Sequence, residues 1–247
     1  MKIQILAVCA AISALACSDT DSPIDPASLN ASAGIDNAAD AAAQTYEITI
    51  TNLTTGQPLS PGVIVTHDKQ TSVFAVGTPA SDGIRFIAEN GDPTTAVTEL
   101  SGAPDVDDVV ATTAPVHRIG GPGPTSLTTT VTARANATRL SVAVMLVCTN
   151  DGFAGLDGVA LPGGFDPVTY DAMSYDAGTE VNDELSTDIP DGCTAIGPVT
   201  GAPDGNGHVA QDGVVQPHPG VQGGAFLEPM EHGWTDPVAR VTIRRIK

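Results

Sequence analysis

Basic residues are scarce in this sequence. Its 247 residues include ten Lys and Arg against 29 Asp and Glu, which gives a formal net charge of −19. Nucleic acids and anionic membrane surfaces bind to basic protein faces, so neither is expected as a partner. The shortage is also local, because residues 140–239 carry fifteen Asp and Glu but no Lys or Arg. These carboxylates must therefore face solvent, cap turns or bind a cation.

The short motifs of common enzymes are absent as well. The sequence contains no GxSxG or SxxK nucleophile motif, no HExxH zinc motif and no CxxC pair. The five histidines form no tight pair, and surface positions are expected for His208 and His218, which lie in Gly/Pro-rich loops. An enzymatic activity therefore has no recognisable residues on which to depend, and we expect a protein that is not an enzyme.

The remaining composition is that of an all-β protein. Aromatic residues make up only 4%, while short Val- and Thr-rich runs alternate with turns drawn from 26 Gly and 19 Pro. This pattern predicts an antiparallel β-sandwich with long loops. The clearest strands are Tyr46–Asn52, Pro61–His67 and Val238–Lys247. Segments Ser126–Ala135 and Arg139–Cys148 are predicted to form a hairpin, the second as a central strand because it is apolar on both faces.

Two short helices and one long loop complete the expectation. Ser81 is a candidate N-cap for a helix that ends at Gly91, and Pro93 is suited to begin a second helix that reaches Leu100. A further strand is expected after Pro104. Between residues 151 and 234 regular periodicity almost vanishes, which predicts a long Gly-, Pro- and Asp-rich loop.

The first residues resemble an export signal. After Met1 and Lys2, the mostly apolar run Ile3–Leu15 is too short to span a bilayer. Residues 1–17 are therefore predicted to be a signal peptide, 18–44 a flexible linker and 45–247 the β-sandwich domain. Lipoprotein processing at Cys17 would place the protein at the outer membrane or cell surface. Ordinary signal cleavage, with secretion or a periplasmic location, is the alternative.

The cysteine count favours the lipoprotein route. Cys9 lies within the signal, so an odd number of cysteines remains: Cys17, Cys148 and Cys193. If Cys17 carries a lipid, Cys148 and Cys193 can form one disulfide, which an exported protein allows.

The acidic segment YDAGTEVNDE holds the strongest candidate site. Asp176 and Glu180 lie four residues apart across a Gly turn, and Asp151 follows the predicted central strand. Oxygen ligands without Cys or His favour Ca²⁺ over zinc or copper. Ordinary turn chemistry and a catalytic carboxylate pair remain open alternatives. Asp183 and Glu184 are expected to be solvated turn residues.

With these residues in view, the sequence resembles the spondin N-terminal domain family in its bacterial form. Five segments carry the resemblance, in chain order: YEITITNLTTGQPLSPGVIVTH, ASDGIRFIAENGD, MLVCTNDGFAGLDGVALP, YDAGTEVNDE and DPVARVTIRRI. The resemblance implies a β-sandwich akin to calcium- and lipid-binding sandwiches, with Asp151, Asp176 and Glu180 as ligands of one Ca²⁺. Gly152 stands where animal members have Trp, and Glu180 replaces an Asp.

The function implied is that of an interaction module. Animal relatives belong to extracellular matrix proteins involved in adhesion, so we expect an exported, lipid-anchored, calcium-binding module for cell-surface interaction or adhesion. Its partner would be an extracellular protein or polysaccharide, with membrane contact only through the lipid. Two other functions stay open: an envelope hydrolase or carbohydrate-active protein that uses Asp151, Asp176 and Glu180, and a purely structural envelope protein.

Overall fold

The computed structural model describes residues 43–195 and 209–247. The predicted signal peptide, the linker as far as residue 42, the lipidation site Cys17 and the loop residue His208 all lie outside these ranges. Within them, no helix has both the length and the apolar character needed to cross a bilayer. The described residues contain nine strands, paired antiparallel, and three short α-helices, which confirms the all-β prediction.

The strands follow one another around a nearly closed sheet in the order β3-β2-β5-β6-β7-β9-β1-β4, with β8 beside β7. Their bounds are β1 Gln44–Asn52, β2 Leu59–His67, β3 Val106–Ala111, β4 Ser126–Ala133, β5 Arg139–Leu146, β6 Gly152–Ala160, β7 Val168–Asp176, β8 Gln216–Pro217 and β9 Ala239–Arg245. The helices are α1 Asp82–Asn90, α2 Thr94–Ser101 and α3 Pro229–His232. A 3₁₀ turn spans Asp191–Ala195.

Strand β7 belongs to both layers of the fold. Its first half pairs with β9, and its last residues, from Met173 to Asp176, pair with β6. The main core lies between the layers and contains inward-facing side chains such as Ile48, Leu140 and Val241. This arrangement brings the end of β7 to the same edge of the fold as the start of β6.

Side chains connect the two edge strands at the opening of the sheet. The Asp108 carboxylate on β3 accepts a hydrogen bond from the Thr132 backbone N–H of β4 at 2.7 Å. Asp107 accepts another from the Arg134 N–H at 2.8 Å and forms an ion pair with the Arg134 guanidinium at 2.9 Å. Two backbone amides at the end of β4, those of Thr132 and Arg134, are thus satisfied without a further strand.

The predicted hairpin between residues 126–135 and 139–148 is wrong. Strand β4 pairs with β1, whereas β5 lies between β2 and β6, so the short connection passes from one layer to the other. The central position predicted for the second segment is confirmed. Its apolar character on both faces has a clear cause, because Val142 faces the main core while Ala143 faces a second cluster that contains Ile84 and Ile87 of α1.

The predicted long loop after residue 151 is also wrong in part, since it contains β6 and β7. Glycines hide the strand pattern of β6, and one of them has a packing role. A Cβ built on Gly155 would lie 2.5 Å from Cζ of Phe74, so the aromatic ring occupies the space of a side chain. On β7 the buried positions include the small residues Ala172 and Ser174, which give no apolar alternation.

Both predicted helices are confirmed. The Ser81 hydroxyl accepts a hydrogen bond from the Ile84 N–H at 3.2 Å, and Gly91 ends α1 in the left-handed region at φ 66°. Pro93 is the N-cap of α2 rather than its first helical residue. Helix α1 packs against the outer face of β5 and places Glu89 and Arg85 near the end of β7.

Candidate metal centre

The three predicted carboxylates lie around the end of β7. Asp151 occupies the bend directly before β6, and Gly152 pairs in register with Asp176, the last residue of β7. The Ala177 N–H donates to the Asp151 carbonyl at 3.0 Å, which holds the two chain segments together. Glu180 follows after one further turn. Asp151 is 0% exposed, and Asp176 and Glu180 are each 1% exposed.

In the described part of the chain, only one carboxylate oxygen of Asp151 accepts hydrogen bonds. Its Oδ2 accepts hydrogen bonds from the N–H groups of Thr179 at 2.6 Å and Glu180 at 3.0 Å. Its Oδ1 is buried and has no hydrogen-bond partner among residues 43–195 and 209–247. Burial and the nearby Asp176 carboxylate raise the pKa of Asp151 to about 6, although these N–H groups lower it. An anionic Asp151 is therefore incompletely neutralised.

Asp176 is held by donors from its own loop. Its Oδ1 accepts a hydrogen bond from the Gly178 N–H at 2.6 Å, and its Oδ2 accepts one from the Asn182 side-chain amide at 2.7 Å. The Gln216 amide of β8 lies 3.5 Å from the same Oδ2. These donors are neutral, so they orient the carboxylate without cancelling its charge.

Glu180 lies in the most acidic surroundings of the site. Burial is the main cause that raises its pKa to about 9. Four neighbouring carboxylates add to the rise: Glu89, Asp151, Asp188 and Asp183. Among these acids, Glu89 has a basic partner in Arg85, at 3.5 Å. The carboxylates around Glu180 thus repel one another, and a bound cation would relieve that repulsion.

The carboxylates are neighbours but are not drawn around one point. The donor atoms of the three acids do not all lie within 4.8 Å of one another. Among the described residues, that spacing is met by Cys148, Cys193 and His232. Mutual repulsion and the hydrogen bonds of Asp176 account for the wider spacing of the three acids. A cation would have to draw these side chains inward.

The chain turn between Asp176 and Glu180 depends on Gly178. This residue has φ 72°, and a Cβ built there would lie 2.5 Å from the backbone nitrogen of Val214. We expect Gly178→Ala to lower the free energy of unfolding by about 2–3 kcal/mol, from the left-handed backbone and the clash together. Gly158→Ala is the control, since its φ is 62° with nothing within 4 Å, and should cost about 1 kcal/mol. Equal losses in urea unfolding would contradict the close approach to Val214.

The raised pKa of Glu180 makes the metal-free protein sensitive to pH. Because the folded state binds this proton more tightly than the unfolded state, stability is lost as the pH rises toward the folded value of about 9. The lowered pKa of His218 has the opposite effect, because it makes stability rise with pH, but only below about 6.5, the ordinary pKa of histidine. In EGTA, the free energy of unfolding should therefore fall between about pH 7 and 9. Glu180→Gln should make the free energy of unfolding less dependent on pH in this range. A wild-type free energy of unfolding that rises with pH over the same range would contradict the prediction.

Access from solvent separates a metal site from a catalytic one. A cleft of about 450 Å³ lies beside the carboxylates and is lined by residues that include Arg85, Glu89 and Thr179. Asp151, Asp176 and Glu180 do not line it and are almost fully buried. A hydrolase that uses these carboxylates would need them to face its substrate, and within residues 43–195 and 209–247 they are buried.

Two acidic residues are less exposed to solvent than the sequence predicts. Glu184, expected in solvent, is buried, and its carboxylate accepts hydrogen bonds from the N–H groups of Gln222 at 2.6 Å and Gly223 at 2.8 Å. Asp183, also expected in solvent, is half-buried and accepts one from the Asn150 side chain at 3.1 Å. These bonds pin the acidic loop at several points.

His218, expected on the surface, is half-buried, with its ring packed edge-on against Trp234 at 4.9 Å. Burial lowers the pKa of His218 to about 4. Its partners come from distant segments of the chain, so local composition could not have revealed them.

A disulfide joins Cys148 to Cys193, with their Cα atoms 5.0 Å apart. Both cysteines are fully buried and pack with Val147, Ile189 and Leu227. The bridge therefore ties the segment that follows the acidic loop to the end of β5. A disulfide of this kind is typical of extracellular proteins.

Comparison with known families agrees with this architecture. The sequence model of the family described as Spondin_N matches residues 51–192, which include the end of β1, all of β2 to β7, the three carboxylates and Asp183 and Glu184. A search of curated proteins finds no match for the chain. Spondin N-terminal domains are extracellular modules of the adhesion type and are not of an enzymatic class. The chain therefore belongs to the Spondin_N family, the spondin N-terminal domains.

Proposed function

We propose that this protein is an exported module for interaction or adhesion at the cell surface, and that Asp151, Asp176 and Glu180 hold one structural Ca²⁺. The observation that carries the proposal is the buried Asp151 Oδ1, which lacks a hydrogen-bond partner among the described residues. A buried carboxylate oxygen needs a donor or a cation, because loss of its hydration is costly. No Lys or Arg lies between Arg139 and Arg240 in the sequence, and Arg85, which lines the neighbouring cleft, forms an ion pair with Glu89.

The donor set decides which cation fits. The candidate ligands are the carboxylates of Asp151, Asp176 and Glu180, so every side-chain donor atom that they offer to a cation is an oxygen. Ca²⁺ takes six to eight such oxygen ligands in flexible geometry, whereas Zn²⁺ prefers nitrogen and sulfur. In the described part of the chain the three acids form no tight triangle, and Ca²⁺ tolerates coordination that has to adjust on binding.

Calcium at this position would act on structure. Asp151 precedes β6, Asp176 ends β7, and Glu180 lies in the loop that follows, so one ion would link three chain segments. That loop continues into Glu184, which holds residues 222 and 223. We propose that the ion stabilises this edge of the sandwich, where the loops present a surface to an extracellular protein or polysaccharide.

Thermal unfolding tests the calcium proposal. At a free Ca²⁺ concentration 100 times the dissociation constant, binding adds about 2.7 kcal/mol, or roughly 5–10 °C in melting temperature for a domain of this size. Asp151→Asn should abolish the shift between Ca²⁺ and EGTA. Asp166→Asn, at an exposed position, should keep it. An equal melting temperature with and without calcium in the wild-type protein would overturn the proposal.

The lipid anchor is a separate part of the proposal. Cys17 follows the apolar signal segment and leaves Cys148 and Cys193 to pair with each other. A lipid on this thiol would tether the module to the membrane, with the acidic domain held at the surface. Cys17→Ser should release the protein from the membrane fraction of expressing cells, and an unchanged membrane fraction would contradict the anchor.

A further inference from the structure

The disulfide lies beside a buried histidine. Cys148 follows β5, Cys193 lies in the 3₁₀ turn, and His232 ends α3. One donor atom from each, the two sulfurs and a ring nitrogen, lie within 4.8 Å of one another. All three side chains are fully buried. Residues far apart in the sequence thus form a compact cluster of sulfur and nitrogen donors, distinct from the carboxylates around β7.

The hydrogen bonding of His232 leaves one nitrogen available. Its Nε2 is buried and has no hydrogen-bond partner among the described residues. Its Nδ1 lies 2.9 Å from the Glu228 backbone nitrogen and 3.3 Å from the Glu228 carbonyl oxygen. The ring can therefore accept a hydrogen bond at Nδ1 while Nε2 carries the proton, or donate one from Nδ1 while Nε2 is free to bind a metal.

Gln57 holds two members of the cluster independently of the disulfide. Its side-chain amide donates to the Cys148 carbonyl at 3.1 Å and to the His232 carbonyl at 2.6 Å. Its carbonyl oxygen accepts a hydrogen bond from the Cys148 N–H at 2.9 Å. The Cys193 N–H donates to the Pro190 carbonyl at 3.0 Å. Breaking the S–S bond would therefore leave these backbone anchors in place.

We propose that reduction converts this disulfide into a zinc site formed by Cys148, Cys193 and His232. Two thiolates and one imidazole are preferred ligands of Zn²⁺, and three protein ligands leave the fourth tetrahedral position for water or another donor. The same cluster cannot bind zinc in the oxidised state, because sulfurs bonded to each other offer no thiolate. The redox state of the bridge would thus decide between a covalent link and a metal link.

The conversion balances with a dithiol reductant. The S–S bond accepts two electrons and two protons from the dithiol, which becomes a disulfide, and two thiols form on the protein. Binding of Zn²⁺ then releases both thiol protons to solvent. The His232 proton moves from Nε2 to Nδ1, which gives up the hydrogen bond from the Glu228 N–H and donates instead to the Glu228 carbonyl. The metal would keep the segment around Cys193 attached to β5.

Cobalt absorption tests the proposal on the full chain with Cys9→Ser and Cys17→Ser, so that only the two bridge cysteines remain. The protein is reduced, freed of reductant without oxygen and titrated with Co²⁺. We expect thiolate-to-cobalt charge-transfer bands that saturate at one Co²⁺ per chain and disappear when Zn²⁺ is added. The oxidised protein should give no such bands, which separates this site from carboxylate binding.

Variants assign the nitrogen ligand. His232→Ala should weaken cobalt binding at least tenfold, whereas His117→Ala, on the connection between β3 and β4, should not change it. If the reduced chain loses structure, metal addition should restore its circular dichroism, because site formation and folding are coupled. Absence of thiolate bands in the reduced protein, or equal weakening by both histidine variants, would overturn the proposal.

Discussion

Removal of the disulfide by Cys148→Ser together with Cys193→Ser should lower the free energy of unfolding by about 4 kcal/mol. The two cysteines are 45 residues apart in sequence, and the bridge restricts the unfolded chain over that length. Domains are stable by only about 5–15 kcal/mol in total, so the variant should stay folded but become marginal. Urea unfolding at constant Ca²⁺ measures the loss.

Reduction of the wild-type protein is the matched control for this prediction. It breaks the bridge without changing a side chain, so in the presence of a zinc chelator it should reproduce most of the loss. Hydrogen exchange should also increase around Asp188 and Cys193, where the bridge fixes the segment after the acidic loop. A loss of unfolding free energy below about 1 kcal/mol would contradict this role of the bridge. Contacts such as those of Ile189 and Leu227 would then be enough to hold the segment around Cys193 in place.

Phe153→Ala should lower the free energy of unfolding by about 3–5 kcal/mol. The ring is fully buried, with the Phe74 ring 5.0 Å away in an edge-on arrangement and the Tyr175 ring 5.5 Å away. Truncation leaves a cavity under α1 and removes these aromatic contacts. Because Phe153 is only two residues after Asp151, we also expect weaker calcium binding.

Two controls separate these effects. Phe165→Ala removes the same side chain from a position that is 64% exposed and should cost less than about 1 kcal/mol. Phe153→Leu keeps most of the apolar volume and should cost less than the alanine variant. Urea and thermal unfolding in Ca²⁺ and in EGTA give the free energy of unfolding of each variant and its stabilisation by calcium. Equal stabilities for the Phe153→Ala and Phe165→Ala variants would contradict the role of the aromatic cluster.

Regular alternation and helix caps made part of the fold predictable. The strict alternation of YEITITN predicted β1, because one face of that strand lies in the core and the other faces solvent. Ser81 and Gly91 defined α1, because these two caps act within one turn of the helix. Such signals depend on neighbours in sequence, and the structure follows them closely.

The errors arise where distant contacts decide the structure. Glycine at position 155 gives no strand signal, yet it is required because the Phe74 ring lies against it. The hairpin prediction assumed that a short connection implies pairing, but β5 is apolar on both faces and needs strands on both sides. The order of strands depends on which surfaces must be covered, and that information is spread over the whole chain.

The candidate site was predictable only in outline. The motifs around Asp151, Asp176 and Glu180 marked the acids. The register between Gly152 and Asp176 explains why Asp151 and Asp176, which are 25 residues apart in the sequence, are neighbours. The role of Glu184 depends on contacts with a segment almost forty residues later, as shown by its bond to Gly223 with a separation of 39. The position of His232 beside the disulfide likewise follows from tertiary packing.

Direct measurement of calcium binding tests the central claim most sharply. Isothermal titration of the chelator-treated protein should show one Ca²⁺ per chain, with binding lost in Asp151→Asn and Asp176→Asn. Binding should be unchanged in Asp166→Asn, where an exposed carboxylate is neutralised in the same way. Absence of calcium binding by the wild-type protein, or binding that persists unchanged in both the Asp151 and Asp176 variants, would contradict this account.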